Sequence, residues 1–196
     1  MTAPPPASLP GLTASAARFD APLAMLHAFH VHVHRSLAML RTIGECVAAG
    51  RVDGTVHRAA AEVLHYFDEA APQHHEDEEQ HIFPLVLAHT QDDTVRAVVM
   101  KLQEHHLAME AQWARIRVPL AALAHGHGDA YGAPQIAAAS LFCTLYDGHA
   151  QSEEELVFPL AARLLDNDAL HAIGQEMARR RGVTRSRPRP KTDSGV

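Results

Sequence analysis

The chain has 196 residues, 47% of them hydrophobic and 20% charged, with a formal net charge of −6 at pH 7 and two cysteines. That length supports one sizeable core without disulfide staples. Cys46 and Cys143, far apart and outside any Cys-x-x-Cys pair, argue against a disulfide framework, a Cys-based zinc site or an iron–sulfur cluster. Seven of the seventeen Lys and Arg residues lie between Arg179 and Lys191, leaving a body of ten basic and twenty-two acidic residues with sixteen histidines in the chain, a composition that suits cations and disfavours nucleic acid.

Residues 1–18 read as a Pro-rich arm. They carry no early Lys/Arg cluster and no apolar run long enough for a signal peptide or a membrane span, so the expectation is a cytoplasmic protein with no membrane partner. A first helix follows, started by Asp20 and Pro22 and stopped by Gly50, with Leu23, Leu26, His30, Val33, Leu37 and Leu40 stepping by three and four. A second runs from about Thr55 to His89 with Leu64, Phe67, Ala71, His74, Glu78, Ile82 and Leu85 on one stripe, and kinks are expected at Pro72 and Pro84. The third starts near Asp92 or Asp93, carries Val98, Leu102, His105, Met109, Trp113 and Ile116 inward, and is expected to fray past Pro119. The fourth spans about Pro134 to Leu165 with Leu141, Phe142, Leu145, His149, Glu153, Leu156 and Leu160, and a short fifth covers Asp166 to Arg181. These elements predict an all-α protein: an antiparallel up-down four-helix bundle over residues 19–181 with a short extra C-terminal helix, followed by a basic tail at 182–196.

The chemistry sits in an internal repeat. At an offset of 75 residues His30 maps onto His105, His74 onto His149, Glu78 onto Glu153, Glu79 onto Glu154, and Phe83-Pro84-Leu85 onto Phe158-Pro159-Leu160. Each half therefore reads as a helical hairpin with a lone His on its first helix and His-x-x-x-Glu-Glu-x-x-x-Phe-Pro on its second. Residues i and i+4 lie about one turn, roughly 6 Å, apart on one helix face, so His74 with Glu78, and His149 with Glu153, can each share a metal centre. A single inward His is usually a hydrogen-bonded core residue. Four imidazoles and two carboxylates recurring at one offset on apolar stripes are instead the donor set of a dinuclear site: His30, His74, Glu78, His105, His149 and Glu153. His75, Glu79 and Glu154, one step around the helix, are expected to hydrogen-bond to ligands or to face solvent, and Tyr146 to fill the core or point at the centre. A ferritin-like pattern is matched only once, by Glu78-x-x-His81, because Leu156 stands where the second His would be.

Over about residues 20–165 the chain resembles the hemerythrin-like HHE cation-binding family. The residues that carry the resemblance are His30, His74-His75-x-x-Glu78-Glu79 with Ile82-Phe83-Pro84, Glu104-His105, and His149-x-x-x-Glu153-Glu154 with Phe158-Pro159. The resemblance implies two iron ions bridged by an oxo or hydroxo group, with dioxygen, peroxide or nitric oxide as small ligands; zinc and manganese suit the same donor types. Animal hemerythrins carry His-x-x-x-His on the third helix and an Asp after the last His, where this chain has His105-x-x-x-Met109 and His149-x-x-x-Glu153, so it looks like the bacterial branch. The first helix does hold His30-x-x-x-His34, which leaves His34 open as a fifth imidazole or a core residue. Three functions follow as expectations: a sensor, carrier or iron store; a di-iron enzyme with peroxidase, catalase or oxidase activity; or a bundle that the metal only stabilises.

Overall fold

The computed structural model describes residue 19 and residues 21–127 and 130–183; the arm expected at 1–18 and the tail from 184 onward lie outside the described residues. Helix α1 is Pro22–Ala48, α2 Gly54–His65, α3 Ala71–Asp77, α4 Phe83–His89, α5 Asp93–Ala124, α6 Ala133–Ser152, α7 Phe158–Leu164 and α8 Asn167–Arg180. Single π turns at Tyr66–Ala70 and Glu78–Ile82 weld α2, α3 and α4 into one rod, and a third at Glu153–Val157 joins α6 to α7. No strand occurs among the described residues, and no described helix is long and apolar enough to cross a membrane. The all-α expectation holds.

Helix boundaries follow local chemistry. The carboxylates of Asp53, Asp92 and Asp166 accept hydrogen bonds from the exposed amides that open α2, α5 and α8. Pro22 and Pro134 occupy first turns, where a missing N–H costs nothing. Gly50 follows the C-terminal cap of α1 at φ +65°, a backbone that favours glycine.

Each π turn ends two residues before a proline: Ala70 before Pro72, Ile82 before Pro84, Val157 before Pro159. A proline ring clashes with the carbonyl four residues back and offers no N–H to it, and widening the preceding turn relieves both problems. The kinks expected at Pro72 and Pro84 therefore take the form of π turns. Pro119 behaves differently. Helix α5 runs through it to Ala124 rather than fraying, because Ile116, Leu120 and Leu123 are fully buried on either side of it and hold the segment in place.

Helix α1 packs on α2 and α6, and α5 packs on the same two, which makes the antiparallel four-rod bundle. Helix α8 lies against the start of α1, and Gly174 permits it: a Cβ there would sit 1.5 Å from the Phe19 carbonyl oxygen. The core has two apolar halves. Val33, Leu37, Val63, Phe67, Met109, Ile116, Phe142 and Tyr146 belong to one, and Leu26, Phe29, Phe83, Val86, Val99, Leu102, Val157 and Phe158 to the other. Between them, on all four rods, runs a layer of buried histidine and glutamate.

Candidate metal centre

That layer is built from His30 on α1, His74 on α3, Glu78 at the head of the following π turn, His106 on α5, His149 on α6 and Glu153 at the head of the last π turn, all of them buried. The i, i+4 pairs meet as their spacing implies: His74 Nε2 lies 3.1 Å from Glu78 Oε1, and His149 Nε2 lies 3.0 Å from Glu153 Oε1. The second oxygen of each carboxylate turns to the opposite hairpin. Glu153 Oε2 is 3.3 Å from His30 Nε2, and Glu78 Oε2 is 3.4 Å from His106 Nε2. Two clusters result, His30–His74–Glu78–Glu153 and Glu78–His106–His149–Glu153, in each of which one ligand atom per residue lies within 4.8 Å of the others. Both glutamates belong to both clusters.

The lone histidines are held from behind. Glu154 Oε1 is 2.8 Å from His30 Nδ1, and Glu79 Oε1 is 2.9 Å from His106 Nδ1, while Gln103 donates to the other Glu79 oxygen at 2.8 Å. A carboxylate on Nδ1 keeps the proton there and turns the Nε2 lone pair toward the centre. Phe158 stacks on His30 with ring centroids 5.3 Å apart, and Phe83 on His106 at 5.6 Å. The Glu-x-x-x-Phe of each hairpin thus grips the lone His of the other hairpin.

Of the expected residues, the structure brings His30, His74, Glu78, His149 and Glu153 together. From α5 it brings His106, the neighbour of the expected His105. The buried positions of α5 are Val95, Val99, Leu102, His106, Met109, Ile116, Leu120 and Leu123, a register of alternating four- and three-residue steps in which His106 falls inside and His105 sits about 100° around the helix, half-buried. His34 is also outside the centre: its side chain is 50% exposed and 3.7 Å from Asp147. Glu79 and Glu154 take the hydrogen-bonding role expected of them. His75 is buried rather than exposed, with its Nε2 3.2 Å from the Tyr146 hydroxyl and its ring stacked on that of His106.

The family model for the hemerythrin HHE cation-binding domain matches residues 21–161. This chain belongs to that family. It is also similar to an uncharacterized protein of Haemophilus influenzae, 30% identical over 168 residues that cover 85% of this chain and 94% of the relative. For an HHE cation-binding domain the electrostatics are apt. Burial pushes the His74 and His75 imidazoles well below their usual range and His106 down to about 4, so these rings are neutral donors at pH 7. Burial and the charge of Glu153 push Glu78 well up; burial acts on Glu153 in the same sense, but His149 and His30 outweigh it and hold that carboxyl low. Both oxygens of Glu78, both of Glu153 and Nε2 of His30 are buried with no hydrogen-bond partner among the described residues. Unpartnered buried polar atoms are costly, and here they converge on one small volume. The donor set fits cations, and these residues could hold two.

Proposed function

We propose that the protein is a dinuclear, iron-binding member of its family that takes up a small ligand such as dioxygen, peroxide or nitric oxide. His30 and His74 would hold one ion and His106 and His149 the other, with a carboxylate oxygen of Glu78 and of Glu153 available to each. The observation that carries this reading is the sharing of both glutamates between the two four-residue clusters. Imidazole and carboxylate donors suit iron in both common oxidation states, and a di-iron pair supplies one- and two-electron chemistry to a bound ligand. The chain's own part is to orient the donors. A cavity of about 50 Å³ borders His75 and is otherwise lined mainly by apolar groups, among them Phe67, Met109, Trp113 and Phe142. It has room for a water molecule or a diatomic.

A second reading, peroxide turnover, is favoured by one feature: the Tyr146 hydroxyl and the His75 imidazole both line that cavity and can hold a proton beside it. Metal analysis with visible spectra of the reduced protein before and after dioxygen, peroxide and nitric oxide tests both. About two irons per chain with bands that change reversibly supports a carrier or sensor. Steady peroxide consumption supports the enzyme. Zinc alone, or no iron uptake, removes the iron reading and leaves the fold intact.

A further inference from the structure

Helix α5 is buried along one side only. Leu102, Met109 and Ile116 lie on its inner face, while Met100, Glu104, Leu107, Ala111, Ala114 and Val118 follow one another in alternating steps of four and three, all of them exposed. At 100° per residue these six fall within an arc of about 80° on the side away from the core. Met100 is 58% exposed and Leu107 and Val118 are each 68% exposed, three of the seven large apolar side chains that stand clear among the described residues. Apolar residues scattered singly over a surface need no explanation, but these three share one row of one helix. The four-three alternation is the spacing of a coiled-coil seam, the pattern with which one helix packs along another.

We propose that this face of α5 is the contact for a second copy of the chain, with the two α5 helices running antiparallel about a twofold axis. Charge selects the occupant and its direction. Glu104 is the one ionisable group in the row, and Arg115 lies beside Ala114 at its edge. Neither has an ion-pair partner among the described residues; the ion pairs of α5 run instead from His106 to Glu78 and Glu79 and from Arg117 to Asp68. Setting Leu107 against the partner's Ala111 in antiparallel register sets Met100 against the partner's Val118 and Glu104 against the partner's Ala114. The partner's Arg115, one residue on, then meets Glu104, and the twofold axis makes the pair twice.

A parallel pair would instead set Glu104 against the partner's Glu104, a like-charge contact that disfavours it. Of the charges on the flanks, Lys101 lies three residues before Glu104 and adds a second cation beside that carboxylate, and Glu110 lines the cavity next to His75, away from the seam. The row from Met100 to Val118 is about 27 Å long, so the contact lies at the small end of specific interfaces and the dimer is expected to be reversible. None of its residues belongs to the metal centre, and the pairing does not depend on the dinuclear reading.

Sedimentation equilibrium of the purified full chain, carried into the high micromolar range, tests the pairing, with circular dichroism confirming the fold of each variant. Wild type is expected to follow a monomer–dimer equilibrium, and Leu107→Lys to raise its dissociation constant at least about tenfold. Glu104→Arg and Arg115→Glu should each weaken the dimer, and the double variant Glu104→Arg/Arg115→Glu should recover most of the loss, because opposite charges face each other again. In a Cys46→Ser background, chains with Met100→Cys and chains with Val118→Cys should form a mixed disulfide on mild oxidation far faster than either forms one with itself. A chain that stays monomeric throughout would overturn the inference and leave this face to a different partner. A dimer unmoved by Leu107→Lys would place the contact elsewhere, and Met100→Cys chains that link to each other as fast as to Val118→Cys chains would contradict the antiparallel register; either result overturns the proposal.

Discussion

His105 and His106 are adjacent on α5, yet only one of them faces the opposing glutamates, and a substitution pair separates their roles. His106→Ala should reduce metal content to about one ion per chain, whereas His105→Ala should leave it at two, measured by elemental analysis of chelator-washed protein. Equal losses in both variants would show that the rotation of α5 differs from that described. The repeat offset selects His105 because it compares residue identities, while the helix register depends on what is buried. Alternating four- and three-residue steps from Val95 through Leu102 to Met109 point to His106, and that register is readable in the sequence once Val95 and Val99 are included. His75 was harder to read, since its value depends on Tyr146, 71 residues away. The thiols make another prediction. Cys143 is buried, donates to the Leu37 carbonyl at 3.8 Å, and is pushed up to about 11 by burial. A raised thiol pKa moves the reactive thiolate to higher pH. Iodoacetamide at pH 8 should therefore modify the native protein once, at the half-buried Cys46, and a second time only after unfolding; rapid double modification, read by mass spectrometry, would contradict this.

At the level of the elements, the π turns explain the apolar residues that sequence periodicity misplaced after Glu78 and Glu153. Approaching Glu78 and Glu153 the expected stripe holds at Phe67, Ala71 and His74 and at Phe142 and His149, although Val63 rather than Leu64 is fully buried and Leu141 is exposed. Beyond the two glutamates, a turn with one extra residue advances the register by one. The expected Leu85 is half-buried and Val86 is fully buried; Leu156 and Leu160 give way to Val157 and Ala161 in the same manner. The Phe-Pro dipeptides were visible as a repeat, but their consequence for the turn before them is a backbone effect that a hydrophobicity pattern cannot carry. The same shift brings Phe83 and Phe158 against the lone histidines, so each proline helps to position the centre. Val157→Asp would bury an unpaired charge and should cost several kcal/mol, whereas Leu156→Asp, with a route to solvent, should cost less than half as much. Urea unfolding of the two variants decides this, and equal costs would place the stripe on an uninterrupted α-helical register.

For the molecule as a whole, the bundle class and the five helical runs were legible because long amphipathic periods, Asp caps and short loops all agree. The role of α8 was not. It reads as a short capping helix followed by basic residues, but ion pairing between residues about a hundred positions apart leaves no mark in the sequence. Asp77, next to Glu78 and only 1% exposed, is held by Arg180 and, at 2.5 Å, by Arg181. Arg180 also reaches Glu76 at 2.9 Å, His81 meets Glu176 at 2.7 Å, and the Arg181 guanidinium lies 5.8 Å from the centre of the Phe29 ring, which stacks in turn on His74. Helix α8 therefore neutralises a third carboxylate beside two that already crowd the centre. Removing both arginines would leave the Asp77 charge buried and uncompensated, at a cost of about 3–5 kcal/mol, which for a chain of this size is a fall in Tm on the order of 10 °C. The Arg180→Ala/Arg181→Ala double variant should show that fall by thermal circular dichroism and should release its metal to chelator faster than wild type. Deletion of residues 184–196, which leaves α8 and both arginines in place, should change neither. A tail deletion as damaging as the double variant would move the stabilising contacts out of α8 and into the last thirteen residues.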